Sequence, residues 1–216
     1  MFVIDDLMID TNIIVLRKTP FSESSLVIAS VSADYGRLDF LARGAMRVEK
    51  KRFPEVDLFR ELNVHFKEGA KGLYTINSVE IVGTSDAISL RTGNFILAAE
   101  IAEFVLRNSH TMLPSPILYS SLRGVLKILC GPLPENPPVF DLLKLVYLYE
   151  HGLLPGHSME EAEKNPDGLK RIRFTGMMVN FLCKGDGIPD LGTEYWHSFS
   201  EWINNLCEYH GLANIH

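Results

Sequence analysis

Cysteine is scarce in this chain: Cys130, Cys183 and Cys207 are the only three among 216 residues, and they lie far apart. They form no CxxC pair and no metal-ligand spacing, and an odd count argues against a disulfide framework. The simplest reading is three reduced thiols of a cytoplasmic protein, each packed as a small hydrophobe. Long apolar runs are missing as well. No stretch of about 18 apolar residues occurs, so no transmembrane helix is expected. The N-terminus MFVIDDLMID has no basic region and carries three acids, so no secretory signal peptide is expected there.

Catalytic signatures are equally absent. There is no GxSxG, HExxH, Walker-type loop or GxGxxG. The histidines (His65, His110, His151, His157, His197, His210 and His216) are scattered, and capping or solvent roles suit them better than catalysis. Ser22, Ser24 and Ser25 have no nearby partner that would activate a hydroxyl. The expectation is a protein that works by binding, not an enzyme, with no cofactor and no metal. An excess of positive charge is lacking too. The net charge is −6, with a pI near 5.6. Taken whole, that balance opposes binding to phosphate backbones. Its distribution along the chain decides more.

What the chain does contain divides near residue 84. Before it, five β-type segments alternate with turn signals. Residues 8–16 are rich in isoleucine and valine, and Thr19-Pro20 reads as a turn. Residues 25–33 return as a second strand, and Asp34-Tyr35-Gly36-Arg37 is a hairpin signature. Residues 38–42, 56–66 and 72–82 supply the third, fourth and fifth strands. Five short strands in about 80 residues point to a small closed barrel, with the OB-fold as leading candidate.

After residue 84 the period becomes helical. Helices are predicted over residues 92–108, from Pro116 (with Ser115 as cap) to Gly131, over 139–151, over 168–184, and from Thr193 as cap to Gly211. The third is apolar over most of its surface and reads as the centre of a bundle. The fold expected is therefore α+β multidomain: a five-stranded OB-fold barrel over 1–83, followed by an all-α helical bundle over 84–216.

One local feature runs against the acidic whole. Residues 43–52 hold Arg43, Arg47, Lys50, Lys51 and Arg52, with Glu49 as the only acid. Such asymmetry is a legitimate argument about partners. In an OB-fold this connection between the third and fourth strands lies close to the ligand groove. A groove for single strands also needs aromatic platforms. Tyr35, Phe40, Phe53 and Tyr74 are candidates, with core or rim packing as the competing role. On the last helix, Trp196, Phe199, Trp202, Ile203 and Leu206 form a stripe that reads as core or as a partner groove.

These residues carry a family resemblance. VLRKTPFSESSL at 15–26, YGRL at 35–38 and LARGA at 41–45 with its basic tail resemble the N-terminal domain of RecO, the bacterial DNA repair and recombination mediator. GLYT at 72–75 fits as well, and VFDLLKL from Val139 with GLLP at 152–155 resembles the central helix of that family's helical domain. The resemblance implies binding of single- and double-stranded DNA, annealing of complementary strands, and loading of RecA onto strands coated by single-strand-binding protein (SSB). It implies RecR and the acidic C-terminal tail of SSB as partners. Arg37, Arg43, Arg47, Lys50, Lys51 and Arg52 fall where the family's barrel is basic and inherit the DNA-contact role. Arg123, Lys127, Lys170 and Arg171 are the candidate partner contacts in the helical half. Two departures stand out. Many members hold a four-cysteine zinc site after the central helix, whereas residues 156–166 here contain no cysteine, so no zinc is expected. Residues 84–216 carry 10 basic and 15 acidic side chains, which confines the expected DNA contact to the barrel and leaves open an interaction scaffold that has lost most DNA binding.

Overall fold

The structure is a computed structural model, and it describes residues 8–47, 53–67, 73–134, 137–155, 166–185 and 188–213. Five strands form a closed barrel: β1 (Ile9–Ser22), β2 (Ser25–Ser32), β3 (Gly36–Ala42), β4 (Glu61–Lys67) and β5 (Tyr74–Gly83), ordered β1-β2-β3-β5-β4. All neighbours are antiparallel except β3 and β5, whose short parallel pairing (Phe40 opposite Tyr74, Leu41 opposite Thr75) closes the ring. This is the OB-fold. A short 3-10 turn (Asp86–Leu90) leads to five helices among the described residues: α1 (Thr92–Asn108), α2 (Pro116–Leu129), α3 (Val139–Glu150), α4 (Pro166–Lys184) and α5 (Thr193–Tyr209).

Alternation builds the barrel core. In β3, Leu38, Phe40 and Ala42 point inward while Arg37, Asp39 and Leu41 face out. The inward residues meet Ile13, Val15, Ile28, Leu62, Val64, Phe66 and Ile76. Phe40 and Phe66 stack edge to face, with ring centroids 5.1 Å apart, and Tyr74 completes the cluster at 5.2 Å from Phe66. The first strand exceeds its predicted length, because Thr19-Pro20 is strand and not turn. Pro20 still pairs with Leu26, and its missing N–H is tolerated because a bulge follows at Phe21. The fourth strand begins later than predicted. Phe53 and Phe59 adopt left-handed φ values of 64° and 61°, which breaks the extended run before Glu61.

Two compact units divide the chain: Met1–Asp86 with Ser109–Pro116, and Ala87–Asn108 with Ile117–His216. The segment Ser109–Pro116 is bound to the barrel by backbone bonds from Arg37 N–H to His110 O, from Met112 N–H to Tyr35 O and from Ser115 N–H to Ala33 O. Gly36 is required there. Its φ is +63°, and a Cβ would lie 2.4 Å from two carbonyl oxygens, those of His110 and Leu113.

The helical unit surrounds α3, whose Val139, Leu142, Leu143, Leu145, Val146 and Leu148 are buried. The α2 and α4 backbones come so close at Gly124 that a Cβ would sit 1.6 Å from Leu182 O. Helix termini find partners that local sequence does not announce. The first N–H groups of α2, at Ile117 and Leu118, donate to the carboxylate of Glu150 (2.8 and 2.7 Å), whereas Ser115 Oγ donates to Leu113 O. At α5 the N-cap is Gly192, with Thr193 already helical. Among the described residues, no helix is long and apolar enough to cross a membrane, and no group of three or more His, Cys, Asp or Glu could hold a metal ion.

Candidate nucleic-acid interface

The basic loop leaves β3 at Arg43. Gly44, at φ 79°, turns the chain, and Arg47 N–H closes the turn on Gly44 O. Met46 N–H donates to Ser24 O, which ties this loop to the β1–β2 hairpin. The two segments enclose a cleft of about 420 Å³ lined by Phe21, Ser22, Ser24, Ser25, Leu41, Arg43, Gly44 and Arg47. Lys50, Lys51 and Arg52 lie outside the described residues.

Charge pairing separates the cations of the barrel into two groups. Arg37 grips Asp39, its neighbour on the outer face of β3, through Nε (3.2 Å) and Nη2 (2.9 Å). Lys18 pairs with Asp57. Burial pulls the Asp57 carboxyl upward. The hydrogen bonds from Lys18 and from the Leu58 N–H outweigh that and hold it below its ordinary value. Arg60 forms a two-pronged pair with Asp86 at 2.9 and 2.8 Å, and its hydrogen bonds likewise lower Asp86. Asp39 and Asp57, which flank the basic loop in sequence, are thus engaged by other cations. Arg43 and Arg47 are both exposed, and among the described residues no carboxylate pairs with either.

The aromatic candidates resolve differently from the basic ones. Phe40 is fully buried, and Tyr35 and Tyr74 sit against Phe66 in the core. Phe53 also packs on that core. Complete burial of such a ring is worth about 1.5–3 kcal/mol. That is comparable to what stacking on a base returns, so Phe40 gains nothing by leaving. Sequence reasoning missed Phe21, which is 62% exposed and lies on the cleft. Its position beside Pro20, before a two-residue hairpin turn, was the available signal.

In the helical unit the four partner candidates do not converge. Lys170 and Arg171 flank a groove of about 450 Å³ between α4 and α5, with Phe174, Tyr195, Phe199 and Trp202 in its lining. The Arg171 guanidinium lies 5.9 Å from the Trp202 ring centroid. Lys127 instead donates to Lys184 O, at the far end of α4, and Arg123 is one turn from it on α2. At 1.5 Å per residue those two sites are about 20 Å apart along the helix. The aromatic stripe of α5 splits accordingly. Phe199 and Ile203 are buried, while Trp196 and Trp202 are half-buried. Beneath them, burial pushes the Cys207 thiol up to about 11.

Comparison with known proteins points one way. Residues 8–85 match the family described as "Recombination protein O N terminal". The chain is 29% identical over 202 residues to the DNA repair protein RecO of Photobacterium profundum, covering 91% of this chain and 72% of the relative. It is 26% identical over 162 residues to that of Acidovorax ebreus, covering 70% and 61%. It is 25% identical over 142 residues to that of Listeria monocytogenes, covering 66% and 52%. For the last two relatives the chain therefore spans less than two thirds of their own length.

Proposed function

The chain belongs to the RecO family, and from that premise we propose that it acts in DNA repair as a cytoplasmic recombination mediator that works by binding, without covalent chemistry. The barrel binds single- and double-stranded DNA and anneals complementary strands. The whole protein helps to load RecA on SSB-coated DNA. Arg43 and Arg47, with Lys50, Lys51 and Arg52 from the same loop, hold phosphates. Arg37 contributes less directly, because Asp39 already neutralises it. RecR and the acidic SSB tail are the protein partners. The groove between α4 and α5 suits the tail, since Lys170 and Arg171 stand at the rim of an aromatic lining. Arg123 and Lys127 form a separate contact.

One observation carries the reading: two exposed arginines, with no carboxylate partner among the described residues, share a cleft with three serines on an OB-fold barrel. Fluorescence anisotropy with labelled oligonucleotides across a salt series tests it. Five phosphate contacts give a slope of log affinity against log salt of about −4.5 for duplex and about −3.5 for single strands. Neutralising all five cations is expected to abolish most of that slope and weaken both ligands. Unchanged affinity for both would sink the assignment of the loop. The acidic balance of residues 84–216 favours a second reading, a RecO-like scaffold that has lost most DNA binding. It predicts no binding to either strand form at low salt, with retained binding to an SSB-tail peptide.

A further inference from the structure

We propose that Phe21 is a base-stacking residue that makes the barrel cleft selective for single-stranded DNA. The inference rests on the DNA-binding reading above and adds to it the strand form and the residue that selects it.

Phe21 is the most exposed phenylalanine among the described residues, at 62%. Its exposure follows from the strand geometry. Pro20 pairs with Leu26 and Ser22 with Ser25, so Phe21 is the extra residue of a bulge and faces no cross-strand partner. The preceding proline restricts the backbone, and the two-residue turn at Glu23-Ser24 follows at once, so the ring is carried on a short, constrained tip. The Met46 N–H bond to Ser24 O ties this tip to the loop that bears Arg43 and Arg47. An aromatic face and two guanidinium groups with no carboxylate partner among the described residues therefore line one cleft, together with the hydroxyl-bearing residues Ser22, Ser24 and Ser25. Glu23, at the turn, is exposed and is not part of the lining.

A single strand has what this cleft can hold: an unpaired base with a free face, and phosphates on both sides of it. The base covers the ring, and the phosphates take the arginines. A duplex offers the same phosphates, but its bases are stacked on one another and present only their edges in the grooves. The arginines serve both ligands, whereas the ring serves only one.

The test uses the full chain with labelled oligo-dT and a labelled hairpin duplex. Phe21→Ala is expected to lower oligo-dT affinity roughly 5- to 150-fold, the range measured for loss of one stacked base, and to leave duplex affinity within about twofold. Phe21→Trp is expected to restore oligo-dT binding, with tryptophan emission quenched by oligo-dT beyond any quenching of Trp196 and Trp202 in the parent chain. Arg43→Ala with Arg47→Ala is expected to weaken both ligands. If Phe21→Ala leaves oligo-dT binding unchanged while the arginine variant weakens it, stacking is overturned and the DNA site survives. Equal loss of oligo-dT and duplex also overturns it. If neither variant alters either ligand, both readings fall. Because the ring is exposed, its removal costs no core packing, and an unchanged thermal midpoint verifies that.

Discussion

In the barrel unit these ion pairs lie on the outside: Arg37 with Asp39 and Arg60 with Asp86 link neighbouring surface positions around an apolar core. In the helical unit the best-placed pair is inside. Lys144 is 4% exposed, donates to Asp141 and to Asn204, and stands 4.2 Å from the Phe140 ring centroid, while Ser200 donates to the other oxygen of Asp141. Asn94, Asn108 and Tyr147 are likewise committed to backbone groups within that unit. The barrel closes through strand pairing around an apolar core, and while Lys18, Arg37 and Arg60 are held in surface pairs, Arg43 and Arg47 have no carboxylate partner among the described residues. Much of the polar complement of the helical unit is consumed in holding helices together.

That contrast can be broken most directly at Lys144. Lys144→Ala leaves Asp141 without its cation, and loss of one partner from a buried pair costs about 3–5 kcal/mol. Urea unfolding followed by tryptophan fluorescence reads this well, because both tryptophans lie in α5. The folded protein is expected to keep its oligonucleotide affinity. A Lys144 variant of normal stability with impaired DNA binding would erase the division of labour between the units.

The next effect is alkaline. The folded Cys207 thiol titrates at about 11 against an ordinary 9.0, because it is buried. The folded state therefore holds this proton more tightly than the unfolded chain does. The contribution is complete below 9.0 and is lost as pH rises from there toward about 11, on the order of 1 kcal/mol per pH unit. Tyr147, raised by burial and by the Cys207 charge, acts in the same direction. Hydrogen exchange should show the helical unit loosening first in alkali, and Cys207→Ala should remove most of the dependence.

The smallest effect is acidic and belongs to the barrel. Asp57 and Asp86 are held below 3.8. Their contribution is present above that value and disappears as pH falls through the depressed folded values. Both side chains are about half exposed, so water screens the pairs and the loss is small. Weakened protection of the barrel amides below pH 4, removed by added salt, is the expected signature. Earlier acid loss in the helical unit would reverse the comparison.

Much of the architecture was legible before any coordinates. Asp34-Tyr35-Gly36-Arg37 announced a hairpin, and Gly36 indeed adopts φ +63°. The period of apolar residues bounded α1 at Thr92–Asn108, and Pro116 marked the first residue of α2. Features that depend on distant residues were not legible. The α2 N-terminus is capped by Glu150, more than thirty residues away, which no local capping rule can reach. The start of β4 was hidden because two phenylalanines take left-handed conformations that the sequence pattern gives no reason to expect. Among the aromatics, the four rings nominated for the groove pack on the barrel core, Phe40 fully buried and Tyr35, Phe53 and Tyr74 partly so. The ring left in solvent sits on a bulge, and a bulge exists only relative to the strand opposite.

Alternation, turn residues and helical period are properties of neighbours in the chain, so strand and helix identity, their order, and the concentration of positive charge at residues 43–52 could be read from the residues alone. Which of those charges remain available is a property of neighbours in space. Arg37 and Lys18 are matched by Asp39 and Asp57, while Arg43 and Arg47 open onto a cleft without a carboxylate partner among the described residues. Neutralisation depends on distances that only barrel closure sets, because the Coulomb attraction that silences one arginine is too weak across water to silence the next.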